Sequence, residues 1–390
     1  MGASPGSVRR PLAAAVLALA IAGCGASPTS PSPTLSPSPT ASPSRTLAPT
    51  SAPSPTPAHG TFTATGSIAI SGEGETATLL RDGRVLFVGA EDANFKAITE
   101  VEIYDPATGT FTLTGPLNTA RYYHVAALLA DGRVLLAGGM QDANASAEIY
   151  DPATGKFTKT GSMVTGRALA TATLLSDGKV LIAGGWSDGP YPLASAELYD
   201  PTTGKFTRTG SMKTARENAQ AILLHDGRVL LVGGDVNQQG PYFASAEIYD
   251  PTTGKFSPTG SMNAERTDFT ATLLPDGRVL AAGGFLGMAS AEIYDPATGK
   301  WTATGSMTTG RDHHAAVLLT NGKVLVVGGV DADAGFINTA ELYDPSSGAW
   351  SAAGAMETSR ADPIATLLTD GGVLVTGGES EGPTAELYWP

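Results

Sequence analysis

One pattern, repeated seven times, constrains this chain more than any other feature. From residue 60 to the C-terminus, an Asp-Gly or Asn-Gly pair between two apolar runs is followed by Glu-x-Tyr, in units of 45 to 50 residues. Units of this length cannot bury an apolar face alone and must stack on their neighbours. The seven pairs begin at Asp82, Asp131, Asp177, Asp226, Asp276, Asn321 and Asp370.

Each unit predicts four short antiparallel strands. In the second unit, Asp131-Gly132 separates two apolar runs and is a strong hairpin signal, because both residues tolerate positive φ. A Pro- and Gly-containing segment, residues 151–155, predicts a longer turn between the third and fourth strands. The second strand, residues 134–137, is wholly apolar and is expected to be buried on both faces. Four-stranded units at this period predict an all-β propeller.

Three recurring elements give the units a resemblance to a known family. They are a Gly-Gly pair that ends the second strand, the string Ala-Glu-x-Tyr-Asp-Pro, and an aromatic residue early in the fourth strand. Together they resemble the kelch repeat, and the region is similar to the central propeller of galactose oxidase. The resemblance implies a seven-bladed kelch-type propeller. The aromatic residues are Phe157, Phe206, Phe256, Trp301 and Trp350.

The two ends of the repeat region predict how the ring closes. The region opens with residues 61–66, which read as a fourth strand with no preceding three, and it ends on a third strand, residues 384–390. We therefore expect the N-terminal strand to complete the last blade, which leaves no open sheet edge. Residues 59–390 are predicted to form one domain.

The N-terminal segment predicts a cellular location. Arg9 and Arg10 precede an apolar run of about a dozen residues, too short to cross a bilayer and typical of a signal peptide. Its end, Ile-Ala-Gly-Cys24, resembles the bacterial lipoprotein box, which implies cleavage before Cys24 and lipidation of its thiol and amino group. The alternative is an ordinary secreted protein. We expect a signal peptide over residues 1–23 and a lipid anchor on the extracytoplasmic face of a bacterial membrane.

Residues 24–58 are predicted to be a disordered tether. After Cys24 and Gly25 they contain only Ala, Ser, Pro, Thr and Leu apart from Arg45, a composition that cannot form a packed core. Proline keeps such a segment extended.

Charge and cysteine content exclude several classes of function. The formal net charge is −13 and no run of Lys or Arg occurs, so nucleic-acid binding is not expected. Cys24 is the only cysteine, which excludes an intramolecular disulfide and any cysteine-cluster metal site. A copper centre built on a Tyr–Cys crosslink, as in galactose oxidase, is excluded from the propeller for the same reason. Neither a cofactor nor a metal is expected.

Repeat spacing identifies the variable face of the predicted ring. The distance from the Asp of Tyr-Asp-Pro to the next Asp-Gly or Asn-Gly is 26 residues in all six cases, whereas the distance from that pair to the next Glu-x-Tyr varies from 16 to 21. All length variation therefore falls between the second and third strands. These loops share a face with the loops that join one blade to the next, and variable loops on a rigid scaffold usually carry function.

An arginine precedes the first strand in six of the seven junctions. Two interpretations remain open: the guanidinium groups ring the channel mouth and bind an anionic ligand, or each pairs with the glutamate that precedes Tyr on the third strand. The six residues are Arg121, Arg167, Arg216, Arg266, Arg311 and Arg360.

Other candidate binding residues follow these arginines or lie in the variable loops. Near the first strands they are His124, Asp312, His313 and His314, which suit either packing or proton and metal chemistry. In the loops, Trp186, Tyr191 and Tyr242 could stack on sugars or anchor a protein partner.

Two hypotheses of function follow. The first is a surface-tethered, monomeric binding module for a glycan or an envelope protein. The alternative is an extracytoplasmic sugar epimerase or mutarotase, which the resemblance to periplasmic kelch enzymes implies and which would use an acid–base pair such as Glu217 beside Arg216. The sequence favours the binding module over the enzyme, and no catalytic residue is assigned.

Overall fold

The computed structural model describes residues 59–70, 72–92, 94–141, 144–237, 240–378 and 384–390. The predicted signal peptide, Cys24 and the tether lie outside these residues. Across the described ranges, no helix of sufficient length and hydrophobicity to span a membrane is found.

The described residues form seven four-stranded antiparallel sheets, which are the blades of a β-propeller. The all-β, seven-bladed prediction is confirmed. Blade 1 is β2 (Thr76–Leu79), β3 (Val85–Val88), β4 (Val101–Asp105) and β5 (Thr110–Leu113); blade 2 is β6 (Val125–Leu128), β7 (Val134–Ala137), β8 (Ala147–Asp151) and β9 (Lys156–Lys159); blade 3 is β10 (Thr171–Leu174), β11 (Val180–Ala183), β12 (Ala196–Asp200) and β13 (Lys205–Arg208).

The remaining blades follow the same plan. Blade 4 is β14 (Gln220–Leu223), β15 (Val229–Val232), β16 (Ala246–Asp250) and β17 (Lys255–Pro258), and blade 5 is β18 (Thr270–Leu273), β19 (Val279–Ala282), β20 (Ala291–Asp295) and β21 (Lys300–Ala303). Blade 6 is β22 (Ala315–Leu318), β23 (Val324–Val327), β26 (Thr339–Asp344) and β27 (Ala349–Ala355), and the loop between its second and third strands forms a separate small hairpin of β24 (Val330–Asp331) and β25 (Gly335–Phe336). Blade 7 is β28 (Ile364–Leu367), β29 (Val373–Thr376), β30 (Glu386–Trp389) and β1 (Thr61–Ala64).

The N-terminal strand closes the ring as the sequence predicts. β1 pairs antiparallel with β30, from Thr61 opposite Trp389 to Ala64 opposite Glu386. The amide of Gly60 adds a hydrogen bond of 2.7 Å to the carbonyl of Trp389. Both ends of the propeller thus lie in one blade, and β30 has a partner on each side.

Local sequence explains the turns and the buried second strands. The carboxylate of Asp131 accepts a 3.0 Å hydrogen bond from the amide of Arg133, while Gly132 takes φ of 90°. Each second strand, such as Val134–Ala137, is fully buried because its side chains face the two neighbouring blades. Seven apolar clusters result, each formed between adjacent blades.

The first strands of neighbouring blades contact one another around the whole ring, from β2 with β6 to β28 with β2. They therefore line the central channel. The Gly-Gly pair permits close approach of the next blade: a Cβ on Gly138, whose φ is 71°, would lie 2.1 Å from the carbonyl oxygen of Arg167. This contact fixes where each blade-to-blade junction enters the channel mouth.

Candidate functional site

A ring of seven residues with positive φ surrounds the channel mouth, one from each blade-to-blade junction. Each lies two positions after the site that holds arginine in six junctions. Six are not glycine, and a left-handed conformation costs such residues about 1 kcal/mol or more each, so it marks a position that the surroundings enforce. We call these residues the mouth ring: Gly74, Tyr123, Leu169, Asn218, Asp268, His313 and Asp362.

Backbone hydrogen bonds connect the mouth ring from blade to blade. The amide of Tyr123 donates to the carbonyl of Gly74 at 2.9 Å, and Leu169 donates to Tyr123 at 3.0 Å. On the other side, His313 donates to Asp268 at 3.0 Å and Asp362 to His313 at 2.8 Å. Because the main chain is held in this way, the side chains at these positions are free to differ.

Five mouth-ring residues line a cavity of about 270 Å³ in the channel. One wall is uncharged and combines Leu169, Ala170 and Ala219 with the amide side chains of Asn218 and Gln220. The other wall carries the polar side chains of Asp268, Thr270, His313 and Asp362. The cavity therefore offers charge on one side and alkyl surface on the other.

His313 stands among three carboxylates. Its Nδ1 lies 2.9 Å from Oδ1 of Asp312, and its Nε2 lies 3.5 Å from Oδ2 of Asp268. Burial alone would lower the pKa of His313, but the hydrogen bond to Asp312 and the charges of Asp362 and Asp268 outweigh it and raise the pKa to about 9. His313 is therefore an imidazolium at neutral pH.

A buried carboxyl pair lies beside the mouth ring on blade 4. Asp235 is fully buried, and its Oδ2 accepts hydrogen bonds from Thr267 at 2.6 Å and from Asn218 at 3.2 Å. Burial, together with the charge of Asp235 and a hydrogen bond to it, raises the pKa of Glu217 to about 8. Glu217 therefore holds a proton at neutral pH.

All six arginines are buried below the mouth ring. In blade 3, Nη1 of Arg167 donates to the carbonyl of Gly184 at 2.8 Å, and Nη2 lies 3.0 Å from Oε1 of Glu197. The same glutamate accepts hydrogen bonds from the amides of Val164 and Thr165. The ion-pair distances in the six blades are 2.9 Å for Arg121–Glu148, 3.0 Å for Arg167–Glu197, 3.7 Å for Arg216–Glu247, 3.1 Å for Arg266–Glu292, 3.1 Å for Arg311–Glu341 and 3.5 Å for Arg360–Glu386.

This arrangement corresponds to the pairing interpretation of the arginines, not to ligand contact. No arginine of the set is more than 1% exposed, and the Nη groups are turned to glycine carbonyls and glutamates of their own blades. Of the two interpretations that the sequence left open, the geometry thus favours pairing within the blade. We call each pair an Arg–Glu brace.

Blade 1 lacks the brace. Gly72 occupies the arginine position, and the buried Glu102 accepts hydrogen bonds only from the amides of Ala69 and Ile70 among the described residues. Nearby, both carboxyl oxygens of Glu75 are buried without a hydrogen-bond partner in the described part of the chain. Burial and then the charge of Glu102 raise the pKa of Glu75 to about 8, against a smaller opposing effect of Arg360.

His124 and His314 are buried between blades. Their Nε2 atoms lie 2.9 Å from the hydroxyls of Thr76 and Thr270, respectively. Burial, and then the neighbouring Arg121 or Arg311, lowers the pKa of each histidine to about 3, so both are neutral. Within the described ranges, no group of His, Cys, Asp and Glu has the geometry of a metal site.

The loop aromatic residues divide into supporting and exposed ones. Trp186 is half-buried and pairs with the backbone of Ala168, and the ring of Tyr242 lies 4.6 Å from that of Phe285. By contrast, Tyr191 is 70% exposed. It belongs to a set of four exposed apolar side chains in the loops between second and third strands, which we call the loop tips: Phe95, Tyr191, Leu286 and Phe336.

The structure places His313 in the cavity lining with Asp312 beside it, and it also places at the mouth residues that sequence reasoning missed. Asp268 and Asp362 occupy the ring position of His313 in blades 5 and 7, and Asp235 pairs with Glu217. The available signal was the arginine itself, since counting two residues on from it in each repeat identifies the mouth ring.

Comparison with known proteins agrees with this architecture. The model described as Kelch motif matches residues 169–213, 220–263, 269–308 and 313–357, which correspond to blades 3 to 6. The chain thus carries Kelch motifs across four consecutive repeats, and propellers of this type commonly serve as protein-interaction modules. No curated protein sequence matches the chain.

A solved structure shares the fold. It is a fungal alcohol oxidase of the AA5 family in complex with copper, 19% identical to this chain, with a TM-score of 0.71 over 85% of this chain and 76% of the oxidase. At that identity the likeness concerns the fold alone.

The unpaired carboxyl of Glu75 predicts a pH-dependent stability. Between its usual pKa of 4.5 and its folded value of about 8, the folded protein keeps a proton that the unfolded chain loses, so the free energy of unfolding falls as the pH rises. Glu75→Gln removes this loss. We expect it to raise the free energy of unfolding by roughly 2–4 kcal/mol at pH 8 and by little at pH 5.

Denaturant unfolding at the two pH values tests this expectation. The exposed Glu265 provides the control, because Glu265→Gln removes the same charge from the surface. An equal effect of Glu75→Gln at both pH values, or a loss of stability at pH 8, would contradict the account.

Proposed function

We propose that this protein is a lipid-tethered binding module of the bacterial cell envelope, and that the loop face of its propeller recognises a glycan or an envelope protein. The observation that supports recognition is the contrast between the two faces. Variable loop lengths, the exposed loop tips and the cavity share one face. The other face carries the regular Asp-Gly and Asp-Pro turns.

The tether is supported by sequence alone. The lipoprotein-box resemblance at Cys24 provides the anchor, and a proline-rich segment of 33 residues can extend roughly 100 Å from a membrane at ~3.1 Å per residue. Such a reach suits a module that searches for a partner within the envelope.

A variant that lacks the anchor separates tethering from recognition. Full-length protein with Cys24→Ala is expected to leave the membrane fraction, yet to bind isolated cell envelopes from the same organism through its loop face. Adding Tyr191→Ser and Phe336→Ser is expected to weaken that binding about tenfold or more, because exposed aromatic side chains dominate interface energies.

Leu113→Ser is the matched control, since Leu113 is 67% exposed but lies at the end of β5 and not in a loop tip. Envelope binding that the loop-tip variants leave unchanged, or that Leu113→Ser reduces equally, would overturn recognition by the loop tips. Retention of the Cys24→Ala protein in washed membranes without envelope binding would overturn the tether.

A second candidate, a sugar epimerase or mutarotase, is favoured by the Glu217–Asp235 pair. A carboxyl with a pKa near 8 beside a carboxylate can serve as acid and base at neutral pH. An epimerase would introduce solvent deuterium at a carbon of its sugar, and Glu217→Gln would abolish this exchange. Both carboxyls are nearly inaccessible, which makes binding the better-supported function.

A further inference from the structure

Most arginines of the propeller are held in ion pairs with carboxylates. On the face of the Asp-Gly turns, aspartates pair with the basic residue two positions on, as in Arg133–Asp131 at 2.7 Å and Arg278–Asp276 at 2.7 Å. On the loop face, the arginines are already paired with glutamates inside the blades. The basic residues near the channel are therefore neutralised below the mouth.

The mouth itself is acidic. The carboxyls of Asp268, Asp312 and Asp362 surround the single imidazolium of His313, so this group alone leaves negative charge in excess. The Glu217–Asp235 pair adds to it, and Oε2 of Glu217, whose residue is 4% exposed, has no hydrogen-bond partner among the described residues. Such a concave, low-dielectric acidic surface concentrates cations.

The shape of the cavity narrows the class of cation. Its wall on blades 3 and 4 is uncharged and combines the alkyl groups of Leu169, Ala170 and Ala219 with the amides of Asn218 and Gln220, whereas its carboxylates lie on blades 5 and 7. A lysine or arginine side chain fits this division, because its alkyl stem can lie along apolar surface while its head reaches a carboxylate. Among the described residues that line the cavity, Phe269 is the one Phe, Tyr or Trp, and at 2% exposure it offers no stacking face to a sugar.

The loop tips indicate that the cation belongs to a protein. Four exposed apolar side chains lie in loops of blades 1, 3, 5 and 6 on the face where the channel opens, and they offer apolar contacts to a protein that carries the basic side chain. We propose that the channel mouth is a binding pocket for a lysine or arginine side chain of a protein partner, with Asp268 and Asp362 as the carboxylates that receive its charged head. This inference rests on the proposed function of the loop face and deepens it.

Four matched peptides test the assignment: Ac-Phe-Ala-X-Ala-Phe-NH2, where X is Lys, Arg, Gln or Glu. The probes are titrated into the full-length protein carrying Cys24→Ala at low and physiological salt. We expect the Lys and Arg peptides to bind at least about tenfold more tightly than the Gln and Glu peptides, a difference of about 1.4 kcal/mol. The preference should weaken as salt increases.

Two double variants with the same change of net charge locate the site. Asp268→Asn with Asp362→Asn is expected to abolish the preference for basic peptides. Asp131→Asn with Asp276→Asn, on the opposite face, is expected to leave it unchanged. Thermal unfolding of both variants verifies that each is folded.

The results separate this inference from the proposed function. Equal binding of the four peptides, no binding of the basic ones at millimolar concentration, or an equal loss in both double variants would overturn the basic-side-chain pocket. If envelope binding nevertheless depended on the loop tips, the proposed function would stand without this inference. Free lysine methyl ester can also be added as a competitor in the envelope-binding assay. If neither this competitor nor the Asp268→Asn, Asp362→Asn variant changes the envelope binding that depends on the loop tips, the result would point to a glycan and overturn the inference.

Discussion

The structure depends on one interaction, the buried Arg–Glu brace. In each of six blades, a guanidinium joins the carbonyl of a glycine at the end of the second strand to a glutamate on the third strand, and that glutamate also holds two amides of the blade-to-blade loop. Burial of an unpaired charge is costly, so loss of either partner strongly destabilises such a pair. Together with the Gly-Gly contact, the brace therefore fixes the position at which each of these six junctions enters the channel.

Fixing the junction leaves the next two residues free to vary. The residues directly after the arginines include Glu217 and Asp312, and the mouth ring two positions on includes Leu169, Asp268 and His313. Backbone hydrogen bonds between blades hold the ring, so its side chains carry no obligatory structural role. A scaffold of near-identical repeats thus presents an asymmetric mouth, whose cavity is lined by uncharged side chains on blades 3 and 4 and by Asp268, His313 and Asp362 on blades 5 to 7.

Much of this could be predicted from sequence, for identifiable reasons. The Asp-Gly hairpins, the apolar second strands and the unmatched strand at each end specify the blades and their closure, because these depend on local geometry and period. The role of the arginines could not be decided, since pairing with Glu148 or its equivalents depends on a loop path that the sequence does not reveal. Asp268 and Asp362 were missed because their left-handed backbone is held by contacts between blades, so that their place two residues after each arginine gains its meaning only from the structure.

Blade 1, which lacks the Arg–Glu brace, could be predicted only in part for the same reason. Gly72 replaces the arginine, and the sequence shows that absence, but only the structure shows that Glu75 is left buried without a partner. The blade that lacks the brace is also the blade that packs against the closing blade 7, where Glu75 approaches Gly377. The seam of the ring therefore carries a carboxyl whose protonation affects its stability.

The most direct test compares two residues that are two positions apart in one junction. Arg266→Met removes a brace and Asp268→Asn changes the mouth, and asparagine tolerates the positive φ of that position. Denaturant unfolding should show a loss of about 3–5 kcal/mol for Arg266→Met and of roughly 1 kcal/mol or less for Asp268→Asn. Equal losses, or a larger loss for Asp268→Asn, would contradict the division of this propeller into a braced scaffold and a variable mouth.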